Sequence, residues 1–378
     1  MSQRTAKIGV IGCGNISDTY FKVLKRFDVL EVAACSDLDM ARARAKAREH
    51  AVPRACTVRE LLADPEIDLI LNLTIPLAHA EVTMAALRAG KHVYTEKPLG
   101  ISRAEGRSIL KLAKQKGLRV GGAPDTFLGG GIQTCRRLID RGVIGEPVAA
   151  TAFMQARGHE RWHPSPVFYY KPGGGPMFDM GPYYITALVN LLGPVRAVSA
   201  EARISYPVRA ITSEPLRGKK FRVKTPTHIT GVMTFASGAL GTMTTSFDVF
   251  PGRTPCIEIY GPEGTLSVGD PNSFCDEVWL LRDGRKEWER IPPAFGYQEN
   301  SRGVGLADMV YALRAGRDHR ANERLLYHVV DVMQSFLDSG ARGRRVRLQS
   351  TVERPAPLPP GLRDGKLDLK LRAMKARQ

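Results

Sequence analysis

The first third of the chain alternates short apolar runs with amphipathic stretches. Ala6 to Ile11 (AKIGVI) is a continuous apolar run, the pattern of a strand buried on both faces. A 3.6-residue periodicity then carries Tyr20, Phe21, Val23 and Leu24 towards Arg26 and predicts a helix. The alternation repeats. Strands are predicted over Val29–Cys35, Asp68–Thr74, His92–Thr95 and Leu118–Gly122. Helices are predicted over Met40–His50, Arg59–Ala63, Ala78–Ala89 and Arg103–Lys116. Gly90 and Gly117 stand where glycine closes a helix. Strand–helix alternation with short links predicts an α/β, doubly wound parallel sheet.

The pattern changes in the second half. Strand-like runs occupy Val195–Tyr206, His228–Phe235, Ala239–Phe247 and Cys256–Tyr260, with turn residues such as Ser237-Gly238 between them. Leu306–Ala315 and Arg324–Leu337 read as helices, and Thr351–Lys370 is Pro-rich and charged, more an arm than a domain. The expected organisation is residues 1–124 as one domain, 125–347 as a second and 348–378 as a basic arm.

Composition narrows the class. The chain has 378 residues, 43% hydrophobic and 25% charged, which suits a core-forming protein of two domains. No apolar run approaches the ~20 residues of a membrane span, and Met1–Lys7 lacks a signal-peptide pattern. Six scattered cysteines form no C-x-x-C pair, so a cytoplasmic location is expected. The net charge is +17. Residues 341–378 hold eleven Arg and Lys against three Asp and Glu, so +8 of it lies in the tail. No zinc finger, RNP pattern or basic zipper accompanies it. No nucleic-acid partner and no membrane are expected; the tail is read as solvated or docked on an acidic surface.

Gly12-Cys13-Gly14-Asn15-Ile16-Ser17 follows the first strand and opens the first helix. G-x-G-x-x-S differs from the dinucleotide fingerprint only in its third small residue. Gly12 serves the tight turn, and Gly14 lets backbone N–H groups meet a pyrophosphate at the positive end of the helix. Asp37 ends the second strand, where a carboxylate bonds a ribose 2′-OH and repels a 2′-phosphate. No Arg follows at once, so NAD is favoured over NADP. This is a Rossmann domain by its pattern.

Two later segments extend the picture: Thr74-Ile75-Pro76-Leu77-Ala78-His79, and Gly90 to Leu99 with its Glu96-Lys97-Pro98 triplet. With the glycine loop they resemble the glucose–fructose oxidoreductase and inositol dehydrogenase (Gfo/Idh/MocA) family. Gly173 to Tyr183 is similar to that family's G-G-x-x-x-D-x-G-x-H/Y segment, and Arg141 to Pro147 resembles its bridge into the second domain. The resemblance implies an NAD(P)-dependent oxidoreductase acting on sugars, cyclitols or related polyols. It implies a second, α+β domain: an open-faced, mostly antiparallel sheet with helices on one side. That sheet often makes oligomers in the family, so a homo-dimer or tetramer is expected. Thr74, Pro76, His79 and Glu96 are then expected, with Gly12, Gly14, Asn15, Ile16 and Asp37, to bind the cofactor, together with Asp125 at the domain junction.

The chemistry points to Lys97. Hydride transfer from a secondary alcohol leaves an alkoxide-like oxygen, which a cation stabilises while a base takes the proton. Lys97 is expected to hold the reacting hydroxyl and Asp179 to bind a hydroxyl or keep Lys97 charged. Many family members carry His where this chain has Tyr183. Tyr183, four residues from Asp179, is the expected base, provided a cation such as Lys97 lowers its pKa from ~10. Gly158-His159-Glu160-Arg161-Trp162-His163 and Phe168-Tyr169-Tyr170 form a polar and aromatic loop. Arg161, Trp162, His163 and Tyr170 are its substrate candidates, with His163 a reserve base. His159 and His163 lack a third ligand at motif spacing, so no metal is expected. Two other readings stay open: a redox glycoside hydrolase that oxidises, eliminates, hydrates and reduces with retained NAD, and a non-catalytic dinucleotide-binding regulator.

Overall fold

A computed structural model describes residues 4–362 and 364–368. Its first sheet has six parallel strands: β1 (Ala6–Ile11), β2 (Leu30–Ser36), β3 (Arg54–Ala55), β4 (Leu69–Asn72), β5 (His92–Thr95) and β6 (Val120–Gly122). The order β3-β2-β1-β4-β5-β6 reverses its winding between β1 and β4. The crevice beyond the strand carboxyl ends at that point is where such sheets take ligands. Five helices link the strands: α1 (Ser17–Leu24), α2 (Met40–His50), α3 (Val58–Ala63), α4 (His79–Arg88) and α5 (Arg103–Lys116). Their starts are locally encoded. Asp39 caps α2, Thr57 and Glu60 form a reciprocal capping box on α3, and Ser102 caps α5.

The chain continues through α6 (Gly130–Asp140), β7 (Ala149–Gln155), α7 (Gly175–Asp179), α8 (Gly181–Leu192) and β8 (Val195–Arg203). A two-stranded excursion, β9 (Val208–Ala210) and β10 (Lys220–Arg222), precedes β11 (His228–Phe235), β12 (Leu240–Ser246), β13 (Ile257–Gly261), β14 (Gly264–Ser267), β15 (Val278–Arg282) and β16 (Glu289–Ile291). Then come α9 (Val304–Ala315), α10 (Glu323–Arg342) and β17 (Val346–Arg347). Nine strands form the second sheet in the order β16-β15-β14-β13-β7-β12-β11-β8-β17. Only the β7–β12 pair is parallel. α10 buries Val329, Met333 and Phe336 beside β8, while the outward face shows Val232 and Leu240.

Several elements lie outside the predicted set. β7 (AATAFMQ) is Ala-rich, and its strand character comes from pairing in the sheet. α6 opens on Gly130-Gly131, which reads as loop. Glycine is needed there because backbones meet: a Cβ on Gly129 would lie 2.1 Å from the Phe274 carbonyl oxygen. α10 runs past Leu337 to Arg342, where left-handed Gly343 ends it.

The described part of the arm, to residue 368, is docked on the body, and its own cations supply part of the docking: Arg354 pairs with Asp140 at 2.9 Å. Val352, Leu358 and Leu367 are buried. Its carbonyls accept from arginines of the body: Arg136 to Pro355 at 2.9 Å and Arg320 to Pro357 at 3.0 Å. Asp364 pairs with Arg26 (2.6 Å) and Lys366 with Asp28, tying it to the loop after α1. The last part of the predicted basic tail, residues 369–378, lies outside the described residues. Among the described residues no helix is long and apolar enough to cross a membrane.

Candidate active site

The glycine loop separates two roles for glycine. Gly12 has φ +103°, and a Cβ there would fall 2.6 Å from the Leu73 carbonyl, so no side chain fits. At Gly14 a Cβ would meet nothing within 4 Å. That glycine leaves open space over the amino end of α1, where no side chain caps the helix and backbone N–H groups remain to receive an anion. Ser17 is buried against the sheet and bonds the Gly14 carbonyl (2.6 Å). Asp37 accepts the Cys13 and Asp39 N–H groups at 2.8 and 2.9 Å, and Arg42 folds back to 3.5 Å from it. An open cradle, an uncapped helix terminus and a carboxylate ending β2 fit a dinucleotide, with Asn15 exposed and Ile16 half-buried at its lip.

The loops after β4 and β5 are stapled together. Buried Asn72 accepts from the Thr74 N–H and hydroxyl (3.2 and 2.7 Å) and donates to the His79 carbonyl (3.1 Å). His79 is buried with Nδ1 2.7 Å from the Pro98 carbonyl and Nε2 2.9 Å from the Thr74 carbonyl. His79 thus ties the two loops together from a buried position. Pro76 and the exposed Ile75 and Leu77 line the cleft rim. Glu96 is likewise engaged. Its carboxylate accepts the Tyr20 hydroxyl (2.8 Å) and the Lys97 N–H (3.0 Å), so it orients Lys97 through the backbone.

Lys97 lies at the centre. Its Nζ donates to the Asp179 carboxylate (2.9 Å) and to the Asp179 carbonyl (2.6 Å), and sits 5.1 Å from the Tyr183 ring centroid. The second carboxylate oxygen is 2.6 Å from His159 Nε2. Burial opposes both charges of the Lys97–Asp179 pair. The partner's charge overcomes this, so the ammonium is held above the ordinary lysine range and the carboxylate below its own. The chain between Asp179 and Tyr183 breaks at Met180, between α7 and α8, and still leaves both residues against Lys97.

Two further expectations are corrected, the lowered phenol of Tyr183 and the accessibility of Tyr170. Tyr183 is not lowered towards neutrality: burial pushes its phenol up, and the Lys97 and Arg302 charges offset only part of that. His163 does not reach the lysine; its Nδ1 accepts the Ser165 N–H (3.0 Å) within an aromatic cluster of Trp162, Phe168 and Tyr169. Tyr170 is wholly buried, its hydroxyl shared between Glu160 and the His159 N–H; neighbouring Tyr169 lines the cleft instead. Asp125 is buried and accepts the Gly303 and Gly305 N–H groups (2.8 and 3.0 Å) through one carboxylate oxygen, so it holds the start of α9. Arg161 and Trp162 are exposed, with Arg161 facing Phe250.

Two residues were missed as site members. His159 stacks edge-on with Trp162 and Tyr169 and contacts Phe247. Its backbone is placed by Tyr170 and by Glu160, which pairs with Arg209 at 2.7 Å. Arg302, just before α9, bonds Asn272 Oδ1 (2.8 Å) and Asn300 Oδ1 (3.1 Å) and faces the Tyr183 hydroxyl. No motif spacing marks either one; tertiary contact alone brings them in.

Comparison with known proteins agrees with this geometry. The profile of the oxidoreductase family with NAD-binding Rossmann fold matches residues 6–122, and that of the GFO/IDH/MocA C-terminal domain matches 132–267. Myo-inositol 2-dehydrogenase of Thermotoga maritima is 26% identical over 262 residues, 69% of this chain and 74% of that one. Trans-1,2-dihydrobenzene-1,2-diol dehydrogenase of Bos taurus is 24% identical over 303 residues, covering 79% and 84%. A structure of levoglucosan dehydrogenase with NADH and levoglucosan superposes with a TM-score of 0.79 at 20% identity, covering 92% of this chain and all of that one. With its glycine cradle, its Glu96-Lys97-Pro98 turn and its open-faced second sheet, the chain belongs to the Gfo/Idh/MocA family of NAD-binding oxidoreductases.

Proposed function

We propose that the protein is a dehydrogenase of a sugar, sugar derivative or cyclitol, with Lys97 binding the reacting hydroxyl. The observation that carries this reading is the partly buried Lys97–Asp179–His159 chain beyond the carboxyl end of β5. Bound there by Gly12, Gly14, Asn15, Ile16 and Asp37, NAD supplies the hydride acceptor. Lys97 stays charged and steadies negative charge growing on the substrate oxygen. Asp179 accepts from Lys97 with one oxygen and from His159 Nε2–H with the other. That bond fixes the tautomer in which His159 Nδ1 is free to take a proton, the relation of orienting carboxylate to base. Tyr183, kept protonated by burial, accepts from Arg302 and offers its hydroxyl hydrogen to a substrate oxygen. Trp162 and Tyr169 offer aromatic faces for sugar C–H surfaces.

The named relatives and levoglucosan dehydrogenase support the polyol and sugar class by likeness. The test is absorbance with NAD across a panel of polyols, free sugars and glycosides, run on wild type and Lys97→Met. Steady NADH formation that is lost in the variant is expected. Glycoside cleavage without net NADH would instead establish the redox glycosidase, and binding without any turnover the regulator. The open sheet face is proposed to join subunits, which sedimentation would test.

A further inference from the structure

A second concavity lies far along the fold from the glycine cradle, where α10 ends and the edge strand β17 begins. It is an open concavity of about 320 Å³, lined by Arg103 and by the exposed Arg342, Arg344, Arg345 and Arg347, with Asp338 its one carboxylate. Arg103 is committed: it pairs with Asp331 at 2.5 Å and with Asp338. Among the described residues the other four make no ion pair; Arg345 bonds only the Thr234 hydroxyl (3.2 Å). Arg342 has a local reason to be there, since a cation suits the carboxyl end of a helix. Arg344, Arg345 and Arg347 follow the helix and have none. Four uncompensated guanidinium groups within six residues repel one another, and a concave wall concentrates their field.

We propose that this cavity binds a compact, multiply charged phosphate anion. Guanidinium forks match phosphate oxygens in pairs, and several converging forks favour a ligand carrying several charges over one carrying a single charge. The volume suits a di- or triphosphate group. A nucleic-acid backbone would want a basic stripe tracking many phosphates, whereas these cations are gathered at one turn.

The test is calorimetric titration of the full chain, saturated with NADH so that the glycine cradle is occupied. The probes are inorganic tripolyphosphate, pyrophosphate and orthophosphate at near-physiological salt. Tripolyphosphate should bind at least about tenfold tighter than orthophosphate. The triple variant R344A/R345A/R347A should lose about tenfold or more in affinity while keeping its Tm and its NADH affinity. The triple Arg→Lys variant, which keeps charge without the fork, should fall between. Equal binding of ortho- and tripolyphosphate, or tripolyphosphate binding untouched by the alanine variant, would overturn the proposal. So would a mixed-sequence single-stranded oligonucleotide that binds through these arginines more tightly than tripolyphosphate.

Discussion

Asp179→Asn is the sharpest perturbation of the site because it keeps shape and removes one charge. In the native protein both carboxylate oxygens accept, from Lys97 at 2.9 Å and from His159 at 2.6 Å. An amide has one acceptor and one donor. Its oxygen must face the Lys97 ammonium, because the opposite flip sets NH₂ against NH₃⁺. The NH₂ group then faces His159 Nε2, which must become the acceptor, and the proton moves to Nδ1. The base is removed without removing the histidine. A wrong tautomer in a carboxylate-oriented histidine costs about 10⁴ in kcat. Separately, Lys97 loses a counter-charge worth about 6 kcal/mol by Coulomb's law at 2.9 Å and an effective dielectric of 20, part of which its bond to the residue-179 carbonyl retains. The expected result is a fall of 10³- to 10⁴-fold in kcat on the best substrate of the panel. NADH affinity by fluorescence titration should stay within about twofold, since neither group belongs to the glycine cradle. Asp179→Asn activity within tenfold of wild type would refute the pairing of Asp179 with a histidine base. A pH–rate limb lost in Tyr183→Phe but kept in His159→Asn would return the proton to the tyrosine.

Further outcomes follow from the same geometry. Gly14→Ala should fold with a nearly unchanged Tm, because its Cβ meets nothing within 4 Å, yet lose NADH affinity by more than about tenfold; calorimetry separates the two. Asp37→Ala should weaken NAD and strengthen NADP binding by roughly tenfold each, since it removes the repelling carboxylate and frees Arg42 (3.5 Å) for a 2′-phosphate. Half-buried His92 and fully buried His319 and His328 are each pushed down to about 4, chiefly by desolvation. The unfolded chain binds their protons first, so stability is complete above about pH 6.5 and is lost as pH falls towards 4. The loss is about 3 kcal/mol per histidine at most, and denaturant midpoints at pH 7.5 and 5 should show it. Ending the chain at Gln349 should strip Val352, Leu358 and Leu367 from the core and lower the Tm by several degrees, read by scanning calorimetry.

What the linear chain discloses depends on how far each cause reaches along it. β1, β5, α2 and α5 lie where periodicity and caps place them, because an apolar run or a capping serine acts within a few residues. The glycine loop is equally legible, since its turn and its helix are contiguous. The second sheet is less so. His228–Phe235 reads as a strand by alternation, but Ala-rich β7 becomes one only between β12 and β13, strands about 90 and about 110 residues further on. The active site divides in the same way. Lys97 and Asp179 are announced by motifs and do meet. His159 joins them through a loop held by the Glu160–Arg209 pair and the Tyr170 hydroxyl, contacts that span up to 49 residues. His163 and His159 are indistinguishable in sequence: one turn apart, with the same aromatic company. What separates them is that His159 reaches Asp179 while His163 turns its Nδ1 to the Ser165 N–H. Tyr183 shows the converse. Its position was legible and its chemistry was not, because the net direction of its pKa depends on how completely α8 is buried, and that burial outweighs the two cations beside it. Motif spacing therefore fixes where a candidate base lies, while its protonation state is set by the competition between burial and neighbouring charge.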